Sequence, residues 1–376
     1  MPYRVTPKRA ASRLRRNLRR NLCKNTFAWL LLLGLSALLS SCELSSPQSF
    51  METAGPVARS QVELFEFTFW LATGVFGVVT AALIYAIWRY RRRDSQEGLP
   101  PQVHGAMGLE IAWTLAPAVV LVILGIPTVN VIFQNQTHSS EEEALSNDDL
   151  LVNVTGYQWW WEFEYPELGI TTANELHIPT GRRVVLNLNS GDVLHSFWVP
   201  KLAGKRDLIP NQDNQLWLQA DEPGMYYGQC AELCLTAHAY MRFRVIASDE
   251  QGFDTWVAAF NEDAQRVAAQ PQPFAEGEAL FKTKGCANCH AVSGYAMGQG
   301  APDLTNFGMR HTLAAGVLDN TPENLAAWLA DPQAVKPGNY MPTLWAADDP
   351  ERDTQIAAIV AYLQSLGGET APLARR

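Results

Sequence analysis

Cys230, Cys234, His238 and Met241 fall within twelve consecutive positions, and His195 stands at the end of an earlier strand-like segment. Two thiols, two imidazoles and a thioether are soft or borderline ligands, suited to copper or zinc and poorly suited to magnesium or calcium. A mononuclear blue-copper site needs one Cys, two His and a weak Met. Here a second Cys lies four residues after the first. Two bridging thiolates are what a pair of copper ions requires to share an electron with little rearrangement. A Cys2His2 structural zinc is the alternative, and it would leave Met241 as core. Copper is favoured, and free thiols outside a cell would tend to oxidise unless a metal held them.

A second chemistry begins at Cys286-Ala287-Asn288-Cys289-His290, the spacing of a c-type haem attachment site. Two thiols three apart can form thioethers to both vinyl groups while the adjacent His ligates iron. A Cys-x-x-Cys redox pair is the alternative. An electron carrier needs a second axial ligand, Met or His. Met341, in Lys336-Pro337-Gly338-Asn339-Tyr340-Met341-Pro342, is the expected one, because a proline-flanked loop can hold a thioether against iron. Met297 is only seven residues from His290, while Met309 and His311 are the nearer rivals.

These groups need external, folded scaffolds and a membrane to hold them. The chain has 376 residues, 47% hydrophobic and 18% charged, below the roughly 25% charge of an ordinary soluble domain. At roughly 100–200 residues per domain this allows two or three domains. The net charge of -9 conceals nine Lys/Arg and no acid in residues 1–42, against a net of -16 over residues 135–376. An acidic ectodomain speaks against nucleic acid and favours a basic protein as partner.

Residues 1–41 have the basic stretch, short apolar run and small residues of a secretory signal. Leu39-Ser40-Ser41-Cys42 resembles a lipoprotein box, with Cys42 lipidated and Cys23 removed; an ordinary signal peptide is the alternative. A short external segment, 42–64, follows. Phe65–Trp88 and Ile111–Phe133 are apolar runs of 24 and 23 residues, long enough as helices to cross about 30 Å of hydrocarbon. Arg89 and Arg91–Arg93 lie in the connecting loop, 89–110, and make it cytoplasmic. Everything after residue 134 is then outside. Glu110 opens the second span, either as a favourable charge at a helix N-terminus or as an ionisable group at a proton path. Residues 150–248 change to short alternating segments with turn signals between them, which indicate an all-β sandwich or barrel. Within them Met241, Phe243 and Val245 are expected inward, with Arg242 and Arg244 outward. Residues 249–273 read as a polar connector, partly helical over 253–267, and 274–368 as a small all-α unit closed by a helix over 354–366.

The whole pattern resembles subunit II of haem-copper cytochrome c oxidases, over roughly residues 60–248. The resemblance rests on two amino-proximal spans, His195-Ser196-Phe197-Trp198-Val199-Pro200 and the Cys-x-Glu-x-Cys-x3-His-x2-Met loop. Residues 274–368 resemble a class-I cytochrome c fused to it, as in caa-type oxidases. The fold class implied is a multidomain membrane protein with a transmembrane hairpin, a cupredoxin-like domain and a cytochrome c domain.

The resemblance implies a binuclear copper A centre bridged by Cys230 and Cys234. His195, His238, Met241 and the Glu232 backbone carbonyl complete its shell. It also implies a magnesium contact for the Glu232 side chain at the subunit I boundary, a proton-path role for Glu110, and covalent haem c on Cys286, Cys289, His290 and Met341. In Gly156-Tyr157-Gln158-Trp159-Trp160-Trp161 it makes Trp159 the residue where electrons arrive, while period two puts Trp159 and Trp161 on one face. Two departures from the family stand out: Leu235 where Gly is common after the second Cys, and Ile209-Pro210-Asn211-Gln212 without the usual Gly-Arg.

The expected function is electron transfer from a cytochrome c-type donor, through haem c and copper, to subunit I. Oxygen is reduced there to water with proton pumping, in a bacterial plasma membrane and with subunit III as a further partner. The alternatives are the copper subunit of a nitric-oxide reductase and a non-enzymatic copper carrier or redox sensor.

Overall fold

The computed structural model describes residues 46–91, 105–136, 141–269 and 275–367, together with Gly34. Apart from Gly34, the expected signal segment lies outside the described residues, as do Cys42, Arg92 and Arg93.

Helix α1, Pro56–Tyr90, and helix α2, Met107–Asn135, are the two long apolar helices. Helix α1 begins well before the apolar run, with Pro56 in its first turn, where a missing N–H costs nothing. Its first turns are not membrane-like. Val57, Ala58 and Ser60 are buried, and the Ala58 N–H donates to the Leu202 carbonyl at 3.2 Å. No residue of α2 is buried within the chain, as suits a helix facing lipid or another subunit. Across the helix pair, Asn135 Nδ2 donates to Ser60 Oγ at 2.9 Å. Helix α3, Glu141–Ser146, leads into the ectodomain.

Ten strands form the sandwich: β1 (Leu150–Tyr157), β2 (Trp160–Tyr165), β3 (Ile170–Ala173), β4 (Glu175–Pro179), β5 (Val184–Ser190), β6 (His195–Trp198), β7 (Arg206–Leu208), β8 (Asn214–Leu218), β9 (Gly224–Cys230) and β10 (Arg242–Ser248). One sheet runs β3-β2-β1-β5-β8 and the other β4-β10-β9-β6-β7. The β1–β5 and β4–β10 pairs are parallel and the rest antiparallel. Inward residues of both sheets interdigitate, with Trp161, Phe163, Phe197 and Phe243 fully buried among them.

Arg244 departs from the expected alternation. Arg242 is exposed, but Arg244 is buried. Period two says which face a residue occupies and not what covers that face; here the carboxy-terminal domain covers it. The Arg244 guanidinium lies 4.0 Å from the centre of the Tyr227 ring and donates to the Gly316 carbonyl at 2.8 Å.

The connector is also more ordered than its polarity suggests. Helix α4, Glu250–Ala269, runs through most of it. Phe253, Trp256 and Phe260 pack on the sandwich core, and Val267 reaches the core of the next domain. That domain contains α5 (Ala275–Thr283), α6 (Pro322–Ala330), α7 (Pro332–Val335) and α8 (Arg352–Ser365). Ile356, Ile359, Val360 and Leu363 of α8 are buried together with Phe281 and Trp345.

Candidate metal centre and haem attachment site

The metal-binding loop leaves β9 at Cys230 and returns into β10 after Met241. Its two ends are tied, since the Cys230 N–H donates to the Met241 carbonyl at 2.9 Å. The Ala231 N–H donates to Ser196 on β6, also at 2.9 Å. Strand pairing sets Phe197 opposite Cys230, which brings His195 to the loop. Gly156 on β1 is required for this approach, because a Cβ there would meet the His195 ring at 3.0 Å.

His195, Cys230 and Cys234 converge with all ligand atoms within 4.8 Å. The two sulfurs are 3.8 Å apart. His195 Nδ1 is 4.0 Å from Cys230 Sγ, His238 Nδ1 3.6 Å from Cys234 Sγ, and Met241 Sδ 3.7 Å from Cys234 Sγ. The Glu232 carbonyl oxygen is 3.2 Å from Cys230 Sγ. All six expected positions therefore lie together. Metal–thiolate bonds are about 2.3 Å long, so one ion can span a 3.8 Å sulfur pair and the residues fit a bridged site.

Electrostatics favour metal binding. Hydrogen bonding with Cys234 holds the Cys230 thiol well below the usual thiol range despite burial, and the His195 ring adds to the effect. The shared proton correspondingly raises Cys234. Asp192, which sequence reasoning missed, accepts from His195 Nε2 at 2.7 Å. That contact orients the ring and turns Nδ1 toward the thiols, as carboxylates do behind metal-ligating imidazoles. Its only sequence signal is its place three residues before His195.

Leu235 has φ 77°, in the left-handed region where Gly is favoured. The departure noted in sequence therefore leaves this turn in place with a side chain in it. In the second departure, Asn211 takes the left-handed position, at φ 61°.

Trp159 is not on a strand. It lies in the β1–β2 turn, so alternation does not govern it, and it is only 4% exposed. Its Nε1 donates to the Cys234 carbonyl at 2.7 Å. Trp161 is fully buried beside His195, and Trp160 stacks on Tyr157.

In the carboxy-terminal domain Cys286 and Cys289 flank a short 3-10 turn. His290 Nδ1 is hydrogen-bonded to the Pro302 carbonyl at 2.8 Å, leaving Nε2 for a ligand. Burial lowers the His290 pKa, which favours the neutral ring that binds iron. Met341 packs against the core of this same domain, whereas Met309 packs against the sandwich core. The His311 ring is taken by Glu175, 3.3 Å from Nδ1, and Met297 is exposed. Glu110 sits in the first turn of α2, far in sequence from these centres.

The family description for the periplasmic domain of cytochrome c oxidase subunit II matches residues 169–248, and that for its transmembrane domain matches 44–131. The cytochrome c family matches 274–367. The chain is 38% identical over 349 residues to cytochrome c oxidase subunit 2 of Alkalihalophilus pseudofirmus, covering 92% of this chain and 98% of that protein. This chain belongs to the cytochrome c oxidase subunit II family. A second relative, cytochrome c oxidase subunit 2 of Bacillus sp. (strain PS3), is 38% identical over 347 residues, 89% of this chain and 96% of that one. The crystal structure of the periplasmic domain of subunit II (CoxB) of Bradyrhizobium japonicum aligns at 30% identity with a TM-score of 0.30, covering 30% of this chain and 94% of that one. Membership makes the chain a membrane-anchored subunit of a haem-copper terminal oxidase, an oxidoreductase that also contains subunit I. Its subunit II and cytochrome c domains imply copper A and haem c in general.

Proposed function

We propose that this chain receives single electrons from an external cytochrome c-type donor and delivers them to subunit I, where oxygen is reduced to water with proton pumping. When bound, covalent haem c and a pair of copper ions supply two one-electron carriers in series. Cys230, Cys234, His195, His238, Met241 and the Glu232 carbonyl would hold the copper ions. Asp192 orients His195, and the tied ends of the loop hold the two sulfurs at one spacing, so little needs to move when charge changes. Cys286 and Cys289 would anchor the porphyrin, and His290 and Met341 would ligate its iron.

The Glu232 side chain would reach a magnesium at the subunit I boundary. Glu110 would stand at the mouth of a proton path on the cytoplasmic side of a bacterial plasma membrane, with subunit III as a further neighbour. The acidic ectodomain would steer a basic donor, an attraction that salt weakens.

The observation that carries this reading is the convergence of the buried His195, Cys230, Cys234 and Met241 with the half-buried His238 in one cluster. Metal and haem analysis of the purified oxidase tests it, with two coppers in this subunit and one covalent haem expected. Cys234→Ser should abolish the near-infrared band of the mixed-valence pair and leave the haem c absorbance intact. Persistence of that band in the variant, or a single zinc at the site, would refute the ligand set.

A further inference from the structure

The segment Lys336–Met341 carries the expected axial methionine, yet it also touches the domain that holds the metal-binding loop. Gly338 has φ +83°, and a Cβ added there would strike Thr236 Cγ2 at 2.2 Å, so this backbone lies directly on the metal-binding loop. Lys336, itself buried, donates from Nζ to the Trp159 carbonyl at 2.5 Å. The Tyr340 ring meets Trp159 with centroids 4.8 Å apart and planes tilted by 38°, and its hydroxyl donates to Gln158 Oε1 at 3.0 Å. Trp159 and Gln158 in turn both donate to one acceptor, the Cys234 carbonyl, at 2.7 and 3.1 Å.

A continuous chain of contacts thus runs from Met341 through its neighbour Tyr340 and the Trp159 indole to Cys234. Trp159 is covered by this segment and nearly inaccessible, so a separate protein cannot dock on it directly. We infer that Tyr340, in ring contact with Trp159, is the internal relay residue that couples the fused cytochrome to the copper loop, with Lys336 and Gly338 seating it.

This rests on the function proposed above and specifies its route. One electron leaves ferrous haem, which becomes ferric, and reaches the oxidised copper pair. Tyr340 and Trp159 make and break no bond and keep their protons; they shorten the gap the electron must cross. The Gln158 hydrogen bonds form a parallel polar path, and the aromatic contact is the one assigned here.

The test uses the intact oxidase complex and times electron movement from photoreduced haem c to copper by their separate absorbances. Tyr340→Leu should slow that step, because the ring that shortens the gap is gone, while haem c absorbance, copper content and the near-infrared band stay as in the wild type. Tyr340→Phe keeps the ring and should stay within about twofold of wild type on the same scale. Gly338→Val, which lifts the segment without altering the ring, should slow the step as Tyr340→Leu does and gives an independent check should that variant lose haem. A wild-type rate in Tyr340→Leu or Gly338→Val overturns the assignment, as does a Tyr340→Phe variant as slow as Tyr340→Leu. Absence of the copper pair or of covalent haem from the wild-type complex would instead overturn the proposed function itself, so the two failures are distinguishable.

Discussion

The cytochrome domain meets the sandwich at two places of opposite chemistry. At one, the Glu175 carboxylate of β4 is buried and accepts from the His311 and Thr312 backbone N–H groups and from Thr312 Oγ1, at 2.7 to 2.9 Å. At the other, the Tyr340 and Trp159 rings meet at a tilt, with the buried Lys336 amine donating to the Trp159 carbonyl beside them. The first is directional and charge-bearing, and the second largely aromatic. A saturated buried carboxylate fixes orientation, because every alternative position strands donors. An aromatic contact tolerates small slides while keeping two conjugated groups in touch. One contact sets the pose, and the other makes the pose useful.

The sharpest way to break this contrast is Glu175→Ala. It leaves the His311 and Thr312 donors unmet and should weaken docking by about 3 kcal/mol, in the range for breaking a buried charged pair. Amide hydrogen exchange at His311 and Thr312 in the full chain would report it; unchanged protection there would show that Glu175 holds nothing.

Acidity should separate the two contacts by sign. Burial opposes the Glu175 charge, but hydrogen bonds from His311 and Thr312 and the charge of His311 hold its pKa below 4.5. The same hydrogen bond to Glu175 raises His311 above 6.5 against the effect of burial. The Glu175 contribution is thus present above its unfolded pKa and lost on acidification through its depressed one. The His311 contribution is full below 6.5 and lost as pH rises through its raised value. His177, pushed to about 3 by burial, stays neutral through this window. Burial lowers Arg244 and Arg310, with partial compensation from the Glu175 charge. Lys336 behaves oppositely: burial pushes it down to about 7, so its protonated form penalises the folded seat and the penalty fades between pH 7 and 10.5. Exchange protection should therefore fall at His311 and rise along 336–341 as pH increases above 7. Movement of both in one direction would contradict the assignment.

The smallest expected effect lies within the copper loop. Leu235→Gly should stabilise the protein by up to about 1 kcal/mol, since relief of the left-handed backbone outweighs the added freedom of the unfolded chain. Thermal unfolding of the copper-loaded oxidase would show a small upward shift.

Much of the metal centre was legible because five of its six positions crowd into Cys230–Met241, and the haem loop is contiguous in the same way. Contacts such as Glu175 with His311, 136 residues apart, leave no local pattern. Arg244 was misread because alternation assumes water on the outer face. Trp159 follows a turn, and its burial depends on Tyr340, 181 positions later. Helix α4 did carry a signal in Phe253, Trp256, Phe260 and Val267, all on helical spacing, but its polar remainder and the prolines at 271 and 273 suggested a connector.

The first membrane helix also begins inside the external domain. Ala54 donates to Lys201 at 2.7 Å and accepts from Asp221 at 2.9 Å, while Val57 and Ala58 are buried among sandwich residues. No swivel therefore separates mast from masthead on this side. A lean of the helix is therefore passed to the sandwich through these contacts and is not absorbed in a free linker.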